Sequence, residues 1–269
     1  MITLKEKIIF LIDLFFETLD NVTDSELYHP GRFLWANFES YPRRRSVQTT
    51  LSRMLKAKEI RKNNYRGAAG YILTPLGLKA LGNSRSAKKQ MTKKWEGSWL
   101  MVIYDIPEEK ARERDVLRKE LKELGFGFWQ KSTWISPFNV GPELHRFMMK
   151  KSFVGVVSVM EARQLYGIDD KKVASQAWPL ERIEKEYLEV VDKWHRTVET
   201  RNTDPAALRE TGRELLNKYF EIKNKDPQLP PELLPTGWPE KKINRTVREI
   251  CRHLASTPAS AASAASTNT

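Results

Sequence analysis

Leu4, Ile8, Leu11, Phe15 and Leu19 recur every three or four residues, with Lys5, Glu6, Lys7 and Asp13 between them, and this period predicts an amphipathic helix. Asp13 interrupts the apolar stretch, and Glu6 sits where a signal peptide would be basic, so a core helix is the better account than a leader. The same spacing returns at Val47, Leu51, Met54 and Leu55, in a segment that begins after Pro42. A helix there faces those four toward a core and turns Arg44, Arg45, Gln48, Thr49, Ser52, Arg53 and Lys56 outward. Two short strand patterns follow, 59–63 and 70–74, around a tip of Asn64, Tyr65, Arg66 and Gly67. Thr74-Pro75 has the chemistry of an N-cap and first turn for a short helix ending near Leu81.

The period changes at Trp99-Leu-Met-Val-Ile-Tyr104, a continuous apolar run of strand length closed by Asp105-Ile-Pro107. Pro107 suits the first turn of a helix whose apolar face is Val116, Leu117, Leu121 and Leu124, and Gly125 stops it. A second strand is expected over 126–135, a helix over 141–150 and a third strand over 153–160. That alternation predicts a small ferredoxin-like α/β domain. From Ala177 onward the pattern is helical, with one stripe at Leu180, Ile183, Tyr187, Leu188, Val191 and Trp194 and another at Leu208, Leu215, Leu216 and Tyr219. Between the helices, residues 226–239 hold five prolines, which forbid a regular helix, together with leucines and Trp238, which need burial. This segment is expected to lie as an extended strap over the helices.

The predicted fold class is therefore a multidomain α+β chain. It has an N-terminal winged helix-turn-helix unit (1–82), a basic linker (83–97), a middle ferredoxin-like domain (98–170), a mostly α C-terminal domain (171–255) and a disordered tail (256–269). The linker carries Arg85, Lys88, Lys89, Lys93 and Lys94 with no acid from 83 to 94, and the tail is Ala, Ser and Thr without large apolar groups.

Composition narrows the function. A formal net charge of +12 favours a polyanionic partner, since clustered cations release condensed counterions when they neutralise phosphates. One cysteine, Cys251, leaves no internal disulfide and no Cys-based metal site, in keeping with a reducing cytoplasm. His29, His145, His195 and His253 are scattered without ligand spacing, so neither zinc nor a Ser-His nucleophile has sequence support, and no pattern calls for a cofactor. No apolar stretch is long enough to predict a membrane span.

The helix after Pro42 supplies the recognition element that charge alone cannot. Its outer face mixes cations with side chains able to read base edges, as a helix in the major groove of double-stranded DNA requires. The expected DNA-binding set is Arg43, Arg44, Arg45, Gln48, Thr49, Ser52, Arg53 and Lys56 on or beside the helix, with Lys62 and Arg66 on the wing touching phosphate. Lys88 and Lys89 in the linker are expected to do the same.

Three blocks then resemble the phenylacetate-catabolism repressor family, the PaaX-type regulators. The first is Leu51-Ser-Arg-Met-Leu55 with Gly70-Tyr-Ile-Leu-Thr-Pro-Leu-Gly77. The second is Trp95-Glu-Gly-Ser-Trp-Leu-Met-Val-Ile-Tyr-Asp-Ile-Pro107, with Leu124-Gly-Phe-Gly-Phe128 and Trp134-Ile-Ser-Pro137. The third is Ala177-Trp-Pro-Leu180 with Tyr187, and the strap Asp226-Pro-Gln-Leu-Pro-Pro-Glu-Leu-Leu-Pro235 with Trp238-Pro239. The resemblance implies a homodimeric repressor whose middle domain helps pair the subunits, released from DNA by a small-molecule effector such as an aryl- or acyl-coenzyme A. Glu240 stands where the family pattern has glycine after Trp-Pro. The middle domain also resembles the small CRISPR-associated nuclease of spacer acquisition, in which an aspartate closing the first strand is linked to metal-dependent cleavage; Asp105 is the matching position. A turn or helix-capping role is the expectation for Asp105, so the protein is read as a non-enzyme. A metal-dependent nuclease using Asp105 is the alternative, and a protein-binding adaptor is a third reading.

Overall fold

The computed structural model describes residues 4–5, 7–9, 12, 44–65, 68–77, 95–151, 153, 155–163, 167–200 and 204–256. Leu11, Phe15, Leu19, Arg43, Arg66, Gly67, the linker cations Arg85 to Lys94 and the tail from Thr257 lie outside them. The chain divides into two compact units: 82–185 with 225–238, and 1–81 with 186–224 and 239–269.

The first of these units is built on a four-stranded antiparallel sheet. Its elements are β3 (Trp99–Tyr104), α2 (Ala111–Glu123), β4 (Gly127–Gln130), β5 (Thr133–Ser136), α3 (Gly141–Lys151), β6 (Val157–Ala162) and α4 (Asp170–Ala177). The strand order β4-β5-β3-β6 threads each helix between non-adjacent strands, the doubly split β-α-β connectivity of ferredoxin-like domains.

Several boundaries differ from the sequence expectation. The run 126–135 is not one strand but a hairpin, reversed at Lys131 with φ 47. No Gly, Pro or Asn marks that turn, so the apolar run conceals it. The last strand starts at Val157 rather than Phe153, whose N–H instead donates to the Met148 carbonyl at the end of α3, 3.0 Å away. Pro107 heads a single 3-10 turn, Glu108–Lys110, before α2 begins. The far end of α2 follows expectation: Gly125 adopts φ 86, its N–H donates to the Lys122 carbonyl, and the Phe126 N–H donates to that of Leu121. These two bonds form a Schellman motif.

One aromatic-rich core holds this unit together. Trp99, Leu117, Leu121, Ile135 and Leu144 are fully buried. Trp99 stacks on Trp178 with ring centroids 6.3 Å apart, and its indole N–H donates to Asp170 Oδ1 at 2.7 Å, so the ring is buried without an orphaned donor. Gly127 is where α4 comes closest to the sheet. A Cβ there would lie 2.5 Å from Trp178 Cε2, so only glycine admits the ring. The strap contradicts expectation. Leu229, Leu233 and Leu234 are buried in this same core, and the 3-10 turn Pro231–Leu233 packs on α4. It completes the sheet unit instead of lying over the C-terminal helices.

The other unit contains the N-terminal helical residues, α1 (Arg44–Lys56), the antiparallel pair β1 (Ile60–Tyr65) and β2 (Ala68–Leu73), the greater part of α5 (Leu180–Glu199), α6 (Pro205–Lys225) and α7 (Glu240–Ser256). Ile8, Ile9 and Ile12 are buried, and Leu4 is half-buried. Lys7 sits over the Phe220 ring, 5.2 Å from its centroid, and donates to Asn217 Oδ1 at 3.3 Å, which docks the N-terminal residues on α6. Trp194 of α5 meets His253 of α7 edge-on at 5.9 Å. Among the described residues, no helix is long and apolar enough to cross a membrane.

Candidate nucleic-acid interface

Val47, Leu51 and Met54 are buried and Leu55 is half-buried, as the spacing demanded. Gln48, Thr49, Ser52, Arg53 and Lys56 are all exposed on the opposite side of α1. Arg44 and Arg45 belong to the first turn of the helix, while Arg43 and Arg66 lie outside the described residues. Thr50 donates its hydroxyl to the Ser46 carbonyl at 2.7 Å and takes no part in the outer face.

The end of α1 is closed by a second Schellman pair. The Lys58 N–H donates to the Leu55 carbonyl and the Glu59 N–H to that of Met54 at 2.9 Å, with Lys58 at φ 55. This reversal sends the chain into β1, whose register with β2 runs from Ile60 opposite Leu73 to Tyr65 opposite Ala68. The strands are longer than expected, and only residues 66 and 67 separate them.

Thr74 ties the layout together. Its N–H donates to the Glu59 carbonyl at 2.9 Å, its hydroxyl donates to the Lys58 carbonyl at 2.6 Å, and the same oxygen accepts the Gly77 N–H at 3.1 Å. The last of these is the expected N-cap bond. Lys5 forms an ion pair with Glu59 at 2.6 Å, so the N-terminal residues also meet this junction. Helix, hairpin and following turn are thus held by a shared set of backbone anchors.

Lys62 is exposed on β1, as the wing assignment requires. Lys58 and Arg61 are exposed beside it and were missed by sequence reasoning. A two-stranded ribbon exposes more of its side chains than a half-buried strand, and that depends on what packs against it. None of Arg53, Lys56, Lys58, Arg61 and Lys62 forms an ion pair among the described residues.

Asp105 does not take the helix-capping part of its expected turn or capping role. Its backbone N–H donates to the Val156 carbonyl at 3.1 Å, but its exposed carboxylate makes no hydrogen bond among the described residues, and neither the 3-10 turn nor α2 has a side-chain cap. The cause is the 3-10 turn, which moves the helix start to Ala111 and out of its reach. Glu108 and Glu109 are exposed nearby, and no group of three or more His, Cys, Asp or Glu among the described residues is arranged to hold a metal ion. A cleft of about 570 Å³ lies between α5 and α6, and four of its charges pair within it, Lys193 with Glu214 at 2.8 Å and Arg213 with Glu210 at 3.6 Å. Cys251 is buried and burial pushes its thiol strongly up, so it behaves as a small apolar group.

Comparison with solved structures finds an uncharacterized protein, Rv0674, from Mycobacterium tuberculosis, with a TM-score of 0.50 at 18% identity over 91% of this chain and 94% of that one. At that identity the likeness extends to the fold alone. No curated protein matches the chain. Family models do: residues 92–174 match the PaaX protein central Cas2-like domain, and residues 178–265 match the PaaX-like protein C-terminal domain. These two matches take in both the sheet unit and the helices that follow it, in the order the family has them, and the chain belongs to the PaaX family of regulators.

Proposed function

We propose that this PaaX-family chain is a homodimeric transcriptional repressor that binds duplex DNA through an N-terminal winged helix, with α1 in the major groove and the β1–β2 ribbon as the wing. The observation that carries this reading is the outer face of α1, where Gln48, Thr49 and Ser52 stand beside Arg53 and Lys56, all exposed, on a helix fastened to a basic hairpin. Amide, hydroxyl and guanidinium groups read base edges, while lysines and backbone donors fix register on phosphate. The test is binding to duplexes from the region upstream of the gene, across salt concentrations. Salt-sensitive binding that discriminates among sequences is expected, and equal affinity for an unrelated duplex of the same length would refute it.

The dimer is supported by the sheet unit. β6 is an edge strand, and Ile103, Val159 and Met160 are exposed on or beside it, an apolar edge that a second copy would cover. Light scattering at micromolar concentration should report a dimer. Release by an aryl- or acyl-coenzyme A follows from the family resemblance and is read as loss of DNA affinity on adding phenylacetyl-coenzyme A. The exposed carboxylate of Asp105, which makes no hydrogen bond among the described residues, favours one second reading, a metal-dependent nuclease. Incubation with DNA or RNA plus magnesium or manganese, with Asp105→Asn as control, separates it from the first.

A further inference from the structure

The C-terminal helix α7 buries Ile243, Val247, Ile250, Cys251 and Leu254 on one side. At 3.6 residues per turn, Lys241, Arg245, Arg248 and Arg252 fall within an arc of about 60° on the opposite side. Lys241, Arg245 and Arg252 are exposed; Arg248 is half-buried, and its Nε has no hydrogen-bond partner. None of the four forms an ion pair among the described residues, and Lys242 beside them is likewise unpaired. Of the two acids of the helix, Glu240 lies off the stripe, and Glu249, four residues after Arg245 and three before Arg252, borders it without forming an ion pair among the described residues.

Helix stability does not explain this arrangement. Like charges at i,i+3 and i,i+4 repel, and that is the spacing of 241, 245, 248 and 252. Lys241 and Lys242 stand in the first turn, where the helix dipole disfavours cations. The stripe is a local electrostatic liability that an anionic partner relieves. Its four cations span about 16 Å, and one strand of B-form DNA presents about five phosphates over that length. A membrane surface fits less well, because an interfacial helix inserts its apolar face and here that face is buried in the protein.

We infer that the outer face of α7 is a second duplex-DNA contact, a track of cations that grips phosphates without reading sequence. It belongs to the same compact unit as α1 and the hairpin. The inference rests on the DNA-binding reading above and extends it to the C-terminal domain. If it holds, the C-terminal helix contributes affinity and salt dependence while α1 contributes discrimination.

The experiment uses the full chain and fluorescence anisotropy, with a preferred duplex and an unrelated duplex of equal length, from about 50 to 300 mM salt. The variant K241Q/R245Q/R252Q removes three exposed cations and leaves the half-buried Arg248 in place. Its slope of log affinity against log salt should fall by about 0.9 for each lost contact, and affinity at low salt should drop on the order of ten-fold or more, equally for both duplexes. The charge-conserving variant K241R/R245K/R252K should keep the parent slope. An unchanged slope in the glutamine variant, alongside lost discrimination in Arg53→Ala, would overturn this inference and leave the repressor reading standing. A parent that binds neither duplex would overturn both, and parent binding to anionic vesicles that the glutamine variant loses, with DNA binding unaltered, would reassign the stripe to a lipid surface.

Discussion

The two compact units leave different chemistry exposed. In the sheet unit Trp99, Trp134 and Trp178 are buried and three strap leucines close the core, while Ile103, Phe128, Val159 and Met160 leave apolar surface exposed. In the helix-rich unit, α1 and α7 each bury one stripe and leave the other to solvent, with cations on that exposed side that form no ion pair among the described residues. Groups that determine stability and groups that would meet DNA are therefore on different residues. A substitution should change one property or the other, seldom both.

The strap offers the largest test of that separation. Leu233 is fully buried in the core of the sheet unit, so Leu233→Ala should destabilise the protein by about 2–5 kcal/mol in urea or thermal unfolding while DNA affinity of the folded protein is kept. A loss below about 1 kcal/mol would mean that the strap is not part of the core. Arg53→Ala should do the reverse. It should weaken binding to the preferred duplex by about 1–3 kcal/mol if Arg53 reads a guanine edge, with unfolding changed by less than about 0.5 kcal/mol.

Thr74→Ala probes the junction between the two kinds of role. Loss of its N-cap bond should cost about 0.5–2 kcal/mol in unfolding. Because Thr74 also holds Glu59 and Lys58 at the base of the hairpin, a modest fall in DNA affinity should accompany it, and unaltered affinity would show that the hairpin is held by other contacts. Lys62→Gln should weaken all duplexes alike and lower the salt slope by about one unit. A change in sequence preference would instead move Lys62 into the reading set.

The smallest effect concerns pH. Burial, and then the positive charge of Arg209, hold His253 below its ordinary value. Its neutral form is favoured in the fold, so the unfolded chain binds more protons as pH falls below about 6.5. Stability is then full above that pH and is lost as pH falls through the lower folded value. His253→Gln should flatten the fall in melting temperature between about pH 7 and 5, and an unaltered slope would assign the acid sensitivity to other groups.

Much of this was legible because local periodicity reports directly on burial. The inward face of α1, the polar outward face, the Thr74 cap and the glycine stop of α2 all followed from spacing and residue type. The hairpin at Lys131 was not legible, since its turn uses a left-handed lysine in place of glycine or asparagine. Nor was the lack of a cap at Asp105, which follows from a 3-10 turn that sequence does not distinguish from a helix start. Arg61 was passed over because exposure on a two-stranded ribbon depends on what covers it. The basic stripe of α7 was present in the sequence at 241, 245, 248 and 252, but its meaning needed the structure to show that no acid among the described residues pairs with it.

The sequence by itself determined most of the order of elements, though not the hairpin at Lys131, together with the cationic character and the family, because propensity, spacing and motif are properties of neighbours along the chain. Only the tertiary structure decided where the strap goes. Leucines that demand burial do not specify which core will bury them, and the answer depended on Gly127 leaving room for Trp178 and on α4 offering a surface for the Pro231–Leu233 turn. Burial is a sum over contacts from distant parts of the chain, and no local pattern contains that sum.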